Sequence, residues 1–480
     1  MSIGDLFYWL FLLYVVLIIS VMILERRKTS TTIAWLLILV TLPYVGFVFY
    51  LFFGRDVSRR KVFRVKENEK KEIRRLAGRQ LQSLDTGGLT FHDVVSSEYQ
   101  GLIRMNLKQS NAIFSQDNTV EIITDGKVKF DRLFESIRQA RHHIHLEYYI
   151  FRNDALGHRL LELLEEKARD GVQVRILIDG VGNKFPSSRL EEARASGVEV
   201  AIFFPNRILP YLELLLNHRN HRKIVVIDGE HAYIGGFNIG EEYLGANSRM
   251  GYWRDTHLRV TGSAVFDIQS RFILDWRVSS GRDISGDSAF FPETPGTGQV
   301  AMQLVASGPE NSLEQIKYGF IEMINQASES VDIQTPYFVP DDSLLEAVKI
   351  ALLRGVRVRI MIPNKPDHIF VYWATYSYIG DLLPFGLEAY TYENGFLHAK
   401  TMVVDGKVLT CGTANFDIRS FRLNFEANSF IYNQETAGQY VRIFEEDIML
   451  SRRITLEDYR NRPLAVRMKE PVARLLSPLL

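Results

Sequence analysis

Two segments carry the residues best suited to chemistry, His221-Arg-Lys223-Ile-Val-Val-Ile-Asp228 and His398-Ala-Lys400-Thr-Met-Val-Val-Asp405. At one constant offset each is followed by a glycine-led stretch, Gly235-Gly-Phe-Asn238 and Gly412-Thr-Ala-Asn415. In a strand, residues two apart face the same side, so each His–Lys pair presents an imidazole and an ammonium to one anion. The apolar residues after each lysine form a strand, and Asp228-Gly229 and Asp405-Gly406 are tight-turn signals that send a second strand back. That return brings the amides of Asn238 and Asn415 to the same place. Two such segments facing one another make a phosphate pocket that contains a nucleophile and a proton donor.

A single histidine on a strand is usually packed or solvated, and one His-x-Lys-x4-Asp match is a weak signal. The repetition in a common frame singles out His221 and His398. Asp228 and Asp405 complete the motif and are counted with the catalytic set, although a structural role in the turn competes. Metal ligation by His218 with His221, or by His142, His143 and His145, is disfavoured because no Cys or carboxylate cluster accompanies either copy. The chain has one cysteine, Cys411, which rules out an internal disulfide and a multi-Cys zinc site. Formal net charge is zero over 480 residues, so the overall balance gives no reason to expect a nucleic-acid binder.

The elements that position these groups repeat as well. Phe134-Glu-Ser-Ile-Arg-Gln-Ala140 and the strand-like Ile144-His-Leu-Glu-Tyr-Tyr-Ile-Phe151 are echoed by Ile321-Glu-Met-Ile-Asn-Gln-Ala327 and Val331-Asp-Ile-Gln-Thr-Pro-Tyr-Phe338. Gly171-Val-Gln-Val-Arg-Ile-Leu-Ile-Asp179 matches Gly355-Val-Arg-Val-Arg-Ile-Met-Ile-Pro363. Alternating helix-like and strand-like segments with apolar strands predict an α/β fold whose sheet is covered by helices. Residues 279–298 are rich in Gly, Ser, Pro and Asp and separate the copies.

The beginning of the chain differs. Residues 6–24 and 33–53 are apolar and aromatic runs of about 20 residues, each long enough to cross a hydrocarbon core of roughly 30 Å. Neither a basic start nor a small-residue cleavage pattern marks the first run as a signal peptide. The expected element is a two-helix transmembrane hairpin. Basic residues follow it (Arg55, Arg59, Arg60, Lys61, Arg64, Lys66), which favours a cytoplasmic body. The C-terminal stretch from Pro463 mixes basic and apolar residues; lying on a membrane surface and docking on the body are both open.

The second motif, in the form His398-x-Lys400-x4-Asp405-x6-Gly-Thr-x-Asn415-x-Asp417-x-Arg419-Ser420, resembles those of the phospholipase D superfamily. Leu51-Phe-Phe-Gly-Arg55, Tyr252-Trp-Arg-Asp-Thr-His257 and Thr335-Pro-Tyr-Phe-Val-Pro340 resemble the bacterial cardiolipin synthases within it. The resemblance implies two phospholipase D-like α-β-α sandwich domains related by a pseudo-twofold axis. The expected boundaries are 1–54 for the hairpin, 55–109 for a basic connector, 110–280 for the first domain, 281–299 for a linker and 300–480 for the second domain. It further implies a covalent phosphatidyl-histidine, with His221 as nucleophile, Lys223, Lys400, Asn238 and Asn415 on the phosphate oxygens, and no cofactor or metal. An acidic residue past each motif is expected to orient its histidine: Glu426 for His398 and Asp255 for His221, with Glu241 and Glu242 as rivals to Asp255. The implied reaction joins two phosphatidylglycerols into cardiolipin and glycerol at the cell membrane. A phospholipase D-type hydrolase and a membrane-tethered nuclease are the alternatives.

Overall fold

The computed structural model describes residues 29–42, 71–203, 218–246, 249–292 and 296–475, with isolated positions among the first 46. The chain divides into two compact units, Met1–Phe63 with Asn206–Asn217, and Arg64–Pro205 with His218–Leu480. In the first, a helix spans Thr29–Thr41, and Ile18 and Leu39 are buried. Most of the expected hairpin lies outside the described residues, and among those described no helix is long and apolar enough to cross a membrane.

The second unit holds both repeats. The first contributes β1 (Ser115–Ile123), β2 (His143–Tyr148), β3 (Gln173–Asp179), β4 (Glu199–Phe203), β5 (Arg219–Asn220), β6 (Ile224–Ile227), β7 (His231–Gly235), β8 (Trp253–Arg254) and β9 (His257–Thr261). The second contributes β10 (Val300–Ser307), β11 (Ser330–Gln334), β12 (Phe338–Val339), β13 (Arg357–Pro363), β14 (Glu388–Tyr392), β15 (Phe396–Leu397), β16 (Thr401–Val404), β17 (Val408–Gly412), β18 (Phe416–Asp417), β19 (Asn424–Tyr432) and β20 (Ser451–Ile454).

Sixteen of these strands join in one sheet rather than two, and β12 with β18 and β8 with β15 form two small sheets of their own. The order of the large sheet, β5 apart, is β20-β14-β13-β11-β16-β17-β19-β10-β1-β9-β7-β6-β2-β3-β4. Leaving β20 aside, the order reads as the same half-sheet from either end, and β1 pairs antiparallel with β10 at the middle (Ser115 opposite Met302). Within each half the outer strands are parallel, as β2-β3-β4 and β11-β13-β14, because a helix carries the chain back between them. The motif strands are hairpins, β6 with β7 and β16 with β17.

Helices cover the sheet, and apolar strand residues such as Ile224, Val226, Val403 and Leu409 are buried in a core to which both repeats contribute. The expected connector, 55–109, does not stay a connector. The helix Gln100–Ser110 buries Leu102, Ile103 and Leu107 in the core of the second repeat, and Asn106 Nδ2 donates to Tyr432 Oη (3.2 Å). Each such side chain contributes at most about 1.5–3 kcal/mol by leaving water, enough to tie this segment to a half that follows it in sequence.

Candidate active site

Both motifs adopt the expected hairpin. The β-branched run of β6 ends at Asp228 and Gly229, both left-handed (φ 56° and 69°), and the Glu230 amide donates back to the Ile227 carbonyl (3.1 Å). Asp405 and Gly406 repeat this turn (φ 52° and 60°), with Lys407 donating to Val404 (2.9 Å). The two histidines precede their strands, and both line one cavity of about 830 Å³, together with Asn238 and Asn415.

The orienting acids are exchanged relative to the sequence expectation. His221 Nδ1 lies 2.9 Å from both Glu426 carboxylate oxygens, and His398 Nδ1 lies 2.6 Å from Asp255 Oδ2. Each imidazole is therefore held by an acid from the other repeat. The cause is a pair of two-residue parallel bridges. β5 pairs with the start of β19 (Asn220 opposite Phe425), so the next residues, His221 and Glu426, come side by side. β15 pairs with β8 (Leu397 opposite Arg254), which does the same for His398 and Asp255. The His221 amide donates to Phe425 (2.9 Å) and the His398 amide to Arg254 (2.7 Å), closing both bridges. The rival Glu242 lines the cavity but pairs with Arg152 (2.9 Å).

With Nδ1 taken by a carboxylate, Nε2 of each ring is the nitrogen left for chemistry. Burial pushes the His221 imidazole down to about 4, against the pull of Glu426; Lys223 and Lys400 add to the lowering. Burial also lowers His398, helped by Lys400 and opposed by Asp255. Burial alone would raise Glu426, but His221, Lys223 and Thr413 outweigh it and hold the carboxyl below its usual range.

Lys223 and Lys400 are buried and are not themselves among the residues that line the cavity; each Nζ donates to the carbonyl of the histidine two residues before it (2.6 Å for Lys223). Burial pushes Lys223 down to about 7 and Lys400 down to about 8. Asn238 is fixed by the Ile150 amide (3.1 Å) and by its own bond to Tyr243 Oη (2.7 Å). Asn415 Oδ1 is buried without a hydrogen-bond partner among the described residues, an acceptor turned inward at the cavity wall.

Asp228 and Asp405 do not belong with this group. About five residues along a strand separate them from the lysines, roughly 16 Å at a strand's rise, and neither lines the cavity. Asp228 accepts from the amides of Arg141, His142 and His143 (2.8, 2.8 and 2.9 Å). Asp405 accepts from the amides of Ser328, Glu329 and Ser330 (2.8 Å each). Each aspartate pins the turn to the start of the neighbouring strand, which corrects its placement among the catalytic residues.

Other contributors are not marked by the repetition of the motif. Tyr149, Tyr243 and Trp253 pack around the imidazoles, with ring centroids 5.0 Å from His221 for Tyr149 and 5.6 Å from His398 for Trp253. Buried Arg222, which has Ala399 as its counterpart, bonds Asp275 (2.7 Å) and the Glu426 carbonyl (3.1 Å). Arg254 bonds Asp447 (3.0 Å) and the Asp255 carbonyl (2.6 Å). Both arginines fix the main chain that carries an orienting acid. The other histidine-rich stretch is packing: His145 stacks on Phe272 (4.5 Å between centroids) and bonds Gln269 (2.7 Å). Among the described residues no group of three His, Cys, Asp or Glu side chains is arranged to hold a metal ion.

Residues 133–258 and 320–448 match the family model described as "Cardiolipin synthase, PLD-like domain", and residues 12–55 match "Phospholipase_D-nuclease N-terminal". The chain is 50% identical over 472 residues to the major cardiolipin synthase of Bacillus subtilis, covering 98% of each chain. It is 46% identical over 471 residues to a cardiolipin synthase of Oceanobacillus iheyensis, again covering 98% of each. Among solved structures, a phosphatidylserine synthase of Haemophilus influenzae matches 81% of this chain and 100% of its own at a TM-score of 0.62 and 15% identity, which speaks to the fold alone. Two motif-bearing repeats in one sheet, matched by the family model twice and by relatives along nearly the whole chain, place the protein in the PLD-like cardiolipin synthase family.

Proposed function

We propose that this chain transfers a phosphatidyl group from one phosphatidylglycerol to another, giving cardiolipin and glycerol, through a covalent phosphatidyl-histidine. The observation that carries the reading is the meeting of two carboxylate-bound imidazoles, one from each repeat, in one cavity.

In the first half-reaction His221 Nε2 attacks phosphorus and forms the P–N bond. The P–O bond to glycerol breaks, and protonated His398 gives its proton to the departing oxygen. In the second, the terminal hydroxyl of another phosphatidylglycerol attacks the same phosphorus, gives its proton to His398, and the P–N bond breaks. The proton is returned, so the cycle balances.

The roles of the histidines are assigned from their surroundings. His221 is pushed far down by burial, which favours the neutral, nucleophilic form. Its carboxylate partner also accepts from Thr413 Oγ1 (2.5 Å) and Asn424 Nδ2 (3.1 Å), so its charge is shared among several donors. Asp255 has fewer rivals for its charge, accepting besides His398 the Thr256 amide (2.7 Å), and is better placed to support an imidazolium. A phosphodiester anion entering between Lys223 and Lys400 favours their charged forms, and these ammoniums with Asn238 and Asn415 offset the negative charge that grows on the non-bridging oxygens.

The apolar runs at 6–24 and 33–53 support a two-helix anchor that holds the cavity near its lipid, with the body on the cytoplasmic side. Purified protein supplied with phosphatidylglycerol is expected to yield cardiolipin and free glycerol, with acid-labile phosphate on His221 after rapid quenching. Phosphatidic acid as the sole lipid product would instead establish a hydrolase, and label on His398 would reverse the two roles.

A further inference from the structure

The C-terminal helix Leu464–Leu475 has two unlike faces. Inward, Glu470 bonds Arg462 (2.6 Å) and Tyr459 Oη (2.8 Å), and Ala473 is buried. Outward, Leu464, Met468, Val472 and Leu475 remain 71%, 65%, 54% and 81% exposed. At about 100° per residue these four lie within one stripe some 80° wide, with Arg467 on one border and Lys469 on the other. The helix's single acid, Glu470, is the one turned inward. An exposed apolar stripe bordered by cations is the pattern of a helix lying in a lipid headgroup layer. A helix that merely docked on the body would turn its apolar side inward.

This face is placed relative to the cavity. Lys469 Nζ sits 5.2 Å from the Trp373 ring, and further along the same helix Arg474 sits 4.4 Å from the Tyr378 ring and pairs with Asp381. Contacts advancing together mean that the helix runs in the same direction as the helix Ile369–Leu382 it packs on. Its Leu464 end therefore lies towards Ile369 and Phe370. Those two side chains line the catalytic cavity and are themselves 56% and 50% exposed.

From this juxtaposition we infer that the outward face of Leu464–Leu475, continued by Ile369 and Phe370, is a contact with an anionic phospholipid bilayer made by the catalytic body itself, setting the cavity mouth at the headgroup level. The apolar stripe enters the acyl boundary, and Arg467 and Lys469 stay among anionic headgroups. The inference rests on the lipid-transfer reading for its purpose, not for its geometry.

The test uses the full-length protein in vesicles of phosphatidylglycerol and phosphatidylcholine. A fluorophore introduced through Met468→Cys labels selectively, because Cys411 is fully buried. It is expected to be quenched severalfold by nitroxides on the acyl chains and shielded from iodide supplied on both sides. Free access to iodide without acyl-chain quenching overturns the inference. The double variant Met468→Glu with Val472→Glu is expected to form cardiolipin about tenfold more slowly on vesicles and at the parental rate on detergent-dispersed phosphatidylglycerol. An unchanged vesicle rate, or the same loss in both media, also overturns it. If the parental protein turned over no phosphatidylglycerol in either medium while the label was still quenched, the transfer reading would fall and the bilayer contact would stand.

Discussion

The two histidine–carboxylate pairs are built on the same bridge and differ in what surrounds it. At the position after the first glycine of each return strand, the first repeat has Gly236 and the second has Thr413. A Cβ on Gly236 would fall 1.9 Å from Asp255 Oδ1, so the missing side chain lets Asp255 approach bare. Thr413 instead turns its hydroxyl onto Glu426. Among the described residues, Asp255 accepts besides its imidazole from the Thr256 amide alone, whereas Glu426 accepts from both Thr413 and Asn424. A near-symmetric scaffold thus surrounds its two imidazoles differently, and the proposed division into an acid–base histidine and a nucleophilic one rests on that difference.

The sharpest way to break that division is to remove each ring. His221→Ala and His398→Ala are each expected to lower cardiolipin formation by about 10⁴-fold or more, at the upper end of a general acid's contribution or beyond it. A phosphodiester with a good leaving group, such as p-nitrophenol, needs no proton from the enzyme. Its turnover should recover substantially in His398→Ala and not in His221→Ala, and equal recovery in both would abolish the distinction.

Next come the acids. Asp255→Asn and Glu426→Gln should each cost about 10²–10⁴-fold in kcat, by misorienting a ring and withdrawing its counter-charge. Glu426→Gln should suppress label on His221, the histidine across the repeat boundary. Unimpaired labelling would undo the crossed pairing.

The pH profile is a finer probe. In the proposed mechanism His221 acts neutral, a form present above its lowered value, so the acid limb of kcat/KM should appear only as pH drops towards about 4. His398 must enter protonated, and burial lowers its imidazole, so the alkaline limb should begin no higher than the ordinary imidazole range. It should steepen near pH 7 to 8, rather than near 10, as Lys223 and Lys400 lose their charge. A profile flat to pH 9.5 would contradict buried lysines that lose their charge in the empty cavity. Thr413→Val returns charge to the Glu426–His221 pair and should raise the acid limb by up to about two pH units, since a hydrogen bond to a charged group is worth roughly 1.5–3 kcal/mol.

The smallest catalytic effect is expected at the turns. Asp228→Ala and Asp405→Ala should each cost about 1–3 kcal/mol of stability through orphaned backbone amides, read as a lower melting temperature, while kcat of the folded protein stays within about twofold. A large loss of kcat in a well-folded variant would restore these aspartates to the chemistry.

How much of this the sequence announces depends on the range of the interaction. The motif strands, their Asp-Gly turns and the repeated helix–strand units follow from local pattern, and all are present. The asparagines reach the cavity because a short hairpin dictates where its return strand ends. The crossed acids were hidden for a physical reason. β5, β8 and β15 are two residues long, too short for periodicity, and the pairing they enforce joins residues 205 and 143 apart. Arg222 was hidden because its counterpart is alanine, so repetition does not mark it. Segment 55–109 was read by its charge, whereas the helix Gln100–Ser110 is committed by Leu102, Ile103 and Leu107 to a core whose other members lie far downstream.

The crossing of the acids also governs when the protein becomes reactive. At about 5–20 residues per second, the ribosome takes some 10–40 s to go from His221 to Glu426, its partner 205 positions later. Throughout that interval the first imidazole has no carboxylate partner, and for most of it the second motif has not been made. On the proposed mechanism, a nascent chain thus lacks a complete site until almost the last strand is made, and premature termination before that strand leaves a fragment without the acid that holds His221.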